Sequence, residues 1–202
     1  IGLLGTGSDD FAAEDILVPR THLLARDDQS TRICSAPLYA FPATSLYATG
    51  FAGTALGVAR GVLEAFVKTV AGKIPRAQTH KLRDNNAIQA DVGRSQGRLA
   101  AAHAFLKQEI TEIWEAVCTS GTLSIDQRMR IRLSSTYAIH EAKTVVDTLY
   151  DHAGATAIFS SSPFERRFRD IHTISQQIQG RQTHFQTVGS FLLRNEPDLR
   201  LV

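Results

Sequence analysis

The stretch SPFERRFRDIHTISQQIQGRQTHF, residues 162–185, opens with a helix start signal and then loses its charge. Ser162 with Glu165 three positions on forms a capping box, and Pro163 sits at the first helical position, where its missing N–H costs nothing. At about 100° per residue, Phe164, Phe168, Ile171, Ile174, Ile178, Phe185 and Leu192 gather on one side as a core stripe. The spacing predicts one helix running to about Arg194. Thr173, Gln177, Gly180, His184 and Thr187 make up the opposite stripe. From Ile171 to Gly180 there is no carboxylate, lysine or arginine, although a solvated face is about a quarter to a third charged. A neutral hydrogen-bonding wall suits a bound cofactor, a substrate or a second subunit; the plain alternative is a solvated glutamine-rich face. Gly180 costs about 1 kcal/mol in a helix interior, which fits close approach by another body.

Working outward, three more long helices are expected. One starts at the capping box of Ser124 with Gln127, runs to about His152 and closes near Gly154. Before it, Asp84 is placed to cap a helix reaching about Thr119 and closed by Gly121. Its core stripe is Val92, Leu99, Leu106, Ile110, Ile113 and Val117; Gly93, Gly97, Ala100, Ala101 and Ala104 allow a neighbour to come close. The first helix spans about Ser45 to Ala71. Helices of roughly 27 to 35 residues are about 40–50 Å long, and four of them with short connections make an antiparallel four-helix bundle. Residues 1–20 differ: three glycines, turn chemistry and loose alternation ending at Pro19 predict one or two β-strands joined by a turn. Such strands cannot bury a core alone.

Composition narrows the function classes. With 43% hydrophobic and 21% charged residues and a net charge of +2, the chain has no dense basic patch for nucleic acid. Residues 46–59 are apolar and uncharged, but Arg60, Glu64 and Lys68 follow at one-turn spacing, so a buried amphipathic helix is expected rather than a membrane span. Cys34 and Cys118 match no metal or disulfide spacing, and no signal-peptide pattern opens the sequence. A cytoplasmic protein is expected.

Candidate chemistry is thin when taken residue by residue. Di-iron bundles use paired Glu-x-x-His motifs, and no Glu here has a His three residues later; Glu112 and Glu115 read as solvated charges, and no metal is expected. No nucleophile elbow is present. GTGSDD, residues 5–10, reads as a turn between strands rather than a phosphate loop. His103 and His140 read as satisfied core or interface histidines.

The segment GLLGTGSDDFAAEDILVP, residues 2–19, followed by a bundle whose last helix opens SPFERRFRDIHTISQQ, resembles the C-terminal half of the acyl-CoA dehydrogenase superfamily. More closely it resembles the branch of acyl-CoA dehydrogenase type 2 and two-component flavin-dependent monooxygenases. The resemblance implies a mainly α fold, an antiparallel four-helix bundle preceded by one or two short β-strands left from a β-barrel domain. It implies residues 1–22 as terminal strands of that middle domain, 23–44 as a linker and 45–202 as the bundle. The implied function is a flavin-dependent oxidoreductase with FAD or FMN, leaning to a monooxygenase using reduced flavin and oxygen. The alternatives are an acyl-CoA dehydrogenase acting on CH–CH of a thioester and a non-catalytic helical assembly module.

Site residues follow from the same resemblance. KTVAG, residues 68–72, matches the family's Arg-x-x-Phe-Gly segment that reaches the flavin of a neighbouring subunit, with Lys68 in place of the arginine; lysine keeps the charge without the bidentate grip. The flavin-contacting glutamine falls at Asn86, and the Gly-Gly turn at Ala153–Gly154. The dehydrogenase glutamate is missing from SQQIQG, residues 175–180, and residues 42–59 hold no carboxylate either. A monooxygenase histidine four residues after the Thr of an R-D-x-x-T motif falls at Gln177, since Arg169, Asp170 and Thr173 fit. Thr173, Gln176 and Gln177 are therefore the expected substrate-binding residues, with no catalytic base assigned; His172 or His184 substitutes only if the helix presents it differently. Implied partners are a small acyl-CoA or aromatic substrate and a flavin reductase, with no nucleic acid and no membrane, in a homodimer or homotetramer.

Overall fold

The computed structural model describes residues 5–7, 9–24, 28, 30, 33–196, 198–200 and 202. Five α-helices follow one another among them: α1 Ala43–Val70, α2 Asn86–Ser120, α3 Ile125–Ala153, α4 Pro163–Gln176 and α5 Thr183–Leu192. Local chemistry accounts for their ends. Asn85, not Asp84, caps α2: its Oδ1 accepts from the Ala87 and Ile88 amides at 2.9 and 3.3 Å, leaving Asp84 in a short 3-10 turn, Leu82–Asp84. Gly121 closes α2 at φ 70°, a left-handed conformation that glycine adopts without a Cβ penalty. The capping box at α3 is reciprocal, with Gln127 N donating to Ser124 Oγ at 3.2 Å and Ser124 N donating to Gln127 Oε1 at 2.8 Å. At α4 only half of the expected box forms. Ser162 Oγ accepts from Phe164 N at 3.4 Å, but the Ser162 amide bonds Phe159 O, and Glu165 turns both oxygens to Arg169.

The central helix is α3, against which α1, α2, α4 and α5 all pack. Its fully buried Ala138, Ile139, Ala142, Val145, Val146 and Leu149 meet Ala52, Ala55, Ala59, Val62 and Phe66 of α1, Leu99, Ala102 and Leu106 of α2, and Phe164 and Ile171 of α4. The alanines matter because a methyl-sized contact lets helix axes come near the short end of the 8–10 Å range. Each large aliphatic side chain in this layer contributes about 1.5–3 kcal/mol by leaving water. By length and composition α1 could cross a bilayer. Its apolar stripe is instead covered by α3 and α4, while Arg60, Glu64 and Lys68 lie on the exposed side. Ile110, expected in the α2 core, is 37% exposed.

Two larger expectations also fail. Among the described residues of the N-terminal segment, 5–7 and 9–20, there is no strand, and nearly all are exposed; Phe11 and Leu17 are more than nine-tenths exposed. Part of that strand expectation falls on residues 1–4 and 8, outside the described residues. The physical reason is that a ladder needs a partner, and a lone hairpin is at best marginal in water. The chain is thus all helical where it is described, a bundle without leading strands.

The second failure is the helix expected from 162 to 194. It breaks at Gln177, whose φ of −66° and ψ of 151° are extended; a 3-10 turn, Ile178–Gly180, follows, and α5 starts at Thr183. Gly180 permits the break. A Cβ on it would lie 2.9 Å from Ser175 O and 3.0 Å from Ile174 O, so the chain folds back onto the last carbonyls of α4. The body that approaches Gly180 is its own helix. Leu192, expected in the core, is 70% exposed beyond the break.

Candidate functional site

The expected cofactor residues gather at one end of the bundle. Lys68 is exposed on the last turn of α1, and Asn86 is the exposed first residue of α2. Ala153 ends α3 fully buried. Gly154 follows at φ 60°, exposed, with no atom within 4 Å of where a Cβ would stand. Lys73, in the α1–α2 connection, ties this end together: its Nζ donates to Ala153 O at 2.5 Å and to Thr156 Oγ1 at 2.7 Å, a cation on the carbonyl end of a helix. Asp91 of α2 holds His152 of α3 at 2.8 Å, and that hydrogen bond, with Arg94 beside it, keeps the Asp91 carboxyl below its ordinary range. Residues 68–84 carry Lys68, Lys73, Arg76, Lys81 and Arg83 against Asp84 alone, so the connection is a basic rim.

The expected substrate residues sit elsewhere: Thr173 and Gln176 lie 10 and 13 positions after the start of α4, so about 15–20 Å from this end along the helix axis, and Gln177 follows as its cap. Thr173 is half-buried, and its Oγ1 donates to Arg169 O at 2.9 Å. Gln176 is exposed at the C-terminus of α4. Gln177 is half-buried and turned back on the chain, its Oε1 accepting from Gln179 N at 2.7 Å. Of the three, Gln176 is the one directed to solvent, and Gln177 serves first as a cap. His172 lies one turn before Gln176 on the same side of α4. Its Nε2 donates to Asp147 Oδ1 at 2.8 Å, Lys143 holds the other oxygen at 2.5 Å, and its ring stands 4.3 Å from that of Phe168.

Beneath the break lies a polar cluster that sequence reasoning missed. Arg132 of α3 is 1% exposed. Its Nη1 donates to Gln179 Oε1 at 2.8 Å and its Nη2 to Thr44 O at 3.4 Å; burial pulls its pKa down to about 10. His140 Nε2 donates to Gly180 O at 2.9 Å and His184 Nε2 to Ile178 O at 2.8 Å. Carbonyls only accept, so both rings carry their proton on Nε2. Burial, with Arg132 and Arg181 adding to it, lowers the His184 pKa against the opposing pull of the Ile178 carbonyl. The uncharged run thus has a physical cause: its polar groups satisfy buried backbone and a buried guanidinium, as interior polar groups must. A signal existed. Arg132 falls at seven-residue spacing before Ile139, Val146 and Ala153, all fully buried, on the inward stripe of α3.

A concavity of about 810 Å³ opens between α1 and α2. Leu56, Leu63, Leu99 and Leu106 form its floor, and Arg60, Glu64 and Lys107 its rim. Of the glycines and alanines expected to admit a neighbour, Ala100 lines it; Gly93, Gly97, Ala101 and Ala104 are exposed as well. His103 lines this groove, whereas His140 is satisfied as described.

Residues 49–181 of the 202 match the family described as acyl-CoA dehydrogenase, C-terminal domain. The chain is 28% identical over 197 residues to an indole-3-acetate monooxygenase of Pseudomonas putida, covering 98% of this chain and 50% of that protein. It is 25% identical over 179 residues to HsaA of Rhodococcus jostii, the oxygenase subunit of a flavin-dependent monooxygenase, covering 85% and 47%. Among solved structures, XiaF from Streptomyces sp. in complex with FADH2 and glycerol shares the fold, with a TM-score of 0.75 at 19% identity over 82% of this chain and 42% of that one. The chain spans about half the length of the curated relatives it matches. With the family match running from the first turns of α1 through the break after α4, the chain belongs to the acyl-CoA dehydrogenase C-terminal domain family.

Proposed function

We propose that this chain is the helical portion, residues 45–202 after a linker, of a flavin-dependent monooxygenase acting on a small aromatic substrate. The observation that carries the reading is the neutral end of α4. No carboxylate occurs at 171–180 or at 42–59, so the chain offers no base there for the α-proton of a thioester, and its relatives are monooxygenases over most of its length. The basic rim at 68–84 and the open backbone of Gly154 fit a phosphate-bearing flavin, FAD or FMN. When bound, flavin supplies the oxygen-transfer chemistry.

The chain's own residues do the rest. Lys68 and Asn86 supply charge and hydrogen bonds at the cofactor end, and Lys73 holds the Ala153–Gly154 turn in place. Thr173 and Gln176 line the substrate side of α4, with Gln177 holding the turn behind them. Glutamine donates and accepts hydrogen bonds without moving a proton, so this wall orients rather than titrates. Reduced flavin would come from a flavin reductase, and the protein would work as a cytoplasmic homodimer or homotetramer. Titration of the full-length protein with oxidised and reduced FAD and FMN tests the reading. Binding weakened by Lys68→Ala and Asn86→Ala is expected; no binding of any form removes the enzymatic reading and leaves an assembly bundle.

A further inference from the structure

All three residues of the 178–180 turn are gripped from outside it. His184 takes Ile178 O, Arg132 takes the Gln179 side chain, and His140 takes Gly180 O, at 2.8, 2.8 and 2.9 Å. Inside the turn, Gly180 N donates to Gln177 O at 2.8 Å and Gln179 N to Gln177 Oε1 at 2.7 Å. Arg132 and Gln179 are 1% and 4% exposed, and Arg132 also reaches Thr44 O in the first turn of α1. Burying a guanidinium carries a desolvation cost that an apolar side chain of similar volume would avoid. What the apolar side chain could not do is select one arrangement of a turn whose polar groups could otherwise pair several ways.

We infer that Arg132 is a positioning residue: through Gln179 it fixes the 178–180 turn, and with it the last turn of α4, which carries Thr173 and Gln176, and its cap Gln177. Its contribution to function rests on the reading of that turn as the substrate-side wall. The geometry makes the pair specific. Nη1 of Arg132 on α3 meets Oε1 of Gln179, while the backbone carbonyls of Ile178 and Gly180 are held by the imidazoles of His184 and His140. A misplaced wall would still let reduced flavin meet oxygen but would hold the aromatic ring poorly. Reducing equivalents would then leave as hydrogen peroxide rather than as hydroxylated product.

The test uses the full-length protein with Arg132→Met, Gln179→Leu, Gln179→Glu and the double variant Arg132→Met/Gln179→Leu. Hydrogen exchange is followed at the amides of 177–180 and, for comparison, of 139–146. Either single removal is expected to speed exchange at 177–180 by about tenfold or more, with 139–146 little changed. Gln179→Glu keeps an acceptor and should exchange like wild type, and the double variant should be no faster than the singles. With reduced FMN, oxygen and indole-3-acetate as probes, flavin oxidation should persist while the ratio of hydroxylated product to peroxide falls about tenfold in Gln179→Leu and recovers in Gln179→Glu. Uniform acceleration of exchange, additive variants, or an unchanged product-to-peroxide ratio would overturn the inference. If wild type itself converts no indole-3-acetate, that substrate reading fails separately, and turn-selective against uniform exchange still decides the role of Arg132.

Discussion

Gly180→Ala separates the observed break from a continuous last helix by the sign of its effect. In an unbroken helix over 162–194, alanine would replace the poorest common helix former and stabilise by about 1 kcal/mol. In the structure the new methyl carbon would stand 2.9 Å from Ser175 O, 3.0 Å from Ile174 O and 3.1 Å from Ser175 C. Those are backbone atoms at the end of α4, and they cannot rotate away as a flexible side chain could. Gly180 is not among the glycines with positive φ, so the penalty is steric, not conformational. Overpacking of this kind costs about 1–3 kcal/mol. At about 2–4 °C per kcal/mol for a domain of this size, Tm should fall by roughly 2–12 °C. Calorimetry on the full-length protein, with exchange at the Gln177 and Gly180 amides as the local readout, checks this. A Tm raised by a few degrees would refute the fold-back of the chain onto α4.

Three further outcomes follow from named contacts. Burial lowers the His184 pKa, so the folded state resists a proton that the unfolded chain takes up near its ordinary 6.5. Stability should therefore be complete above that pH and decline as pH falls toward the lowered value, by at most about 1.4 kcal/mol per pH unit. His184→Gln should flatten that slope in melts from pH 7.5 to 5. Ser124→Ala removes one arm of the reciprocal capping box and should cost about 1 kcal/mol in urea unfolding. Lys73→Met strips Ala153 O and Thr156 of their shared donor; exchange should speed in residues 154–158, and flavin affinity should drop with little change in Tm.

Much of the bundle was legible in the chain because helix ends are written in local chemistry. Ser124 with Gln127, Pro163, Gly121 and Gly154 each mark a boundary that the structure keeps. Asp84 and Asn85 are both residue types that cap helices; the sequence reading took Asp84, and the structure uses Asn85. The break at Gln177 was hidden because Ile178 and Phe185 continue the apolar stripe of α4 at 100° per residue by coincidence. The missing charge from 171 to 180 was a true signal, but it reported buried satisfaction as well as any outward wall. Its partner, Arg132, lies some 47 positions earlier, beyond the reach of local periodicity. The residues expected at a cofactor, Lys68, Asn86, Ala153 and Gly154, do share one end of the bundle. Lys73, which holds that end, carried no pattern of its own. The leading strands failed for a different reason: composition gives a segment its tendency, but a ladder needs a neighbour.

In the proposed reading the basic rim at the α1–α2 end and the uncharged hydrogen-bonding groups at the end of α4 and in the turn after it serve different ligands. That division suits a charged, phosphate-bearing cofactor and an aromatic substrate better than two partners of like chemistry.

The most direct test of the account is the fate of oxygen. Full-length protein is supplied with reduced flavin, indole-3-acetate and isotopically labelled dioxygen, and the product is read by mass spectrometry. The account predicts one labelled oxygen atom in a hydroxylated aromatic product. Desaturation of an acyl thioester with no label incorporated and no need for oxygen would contradict it.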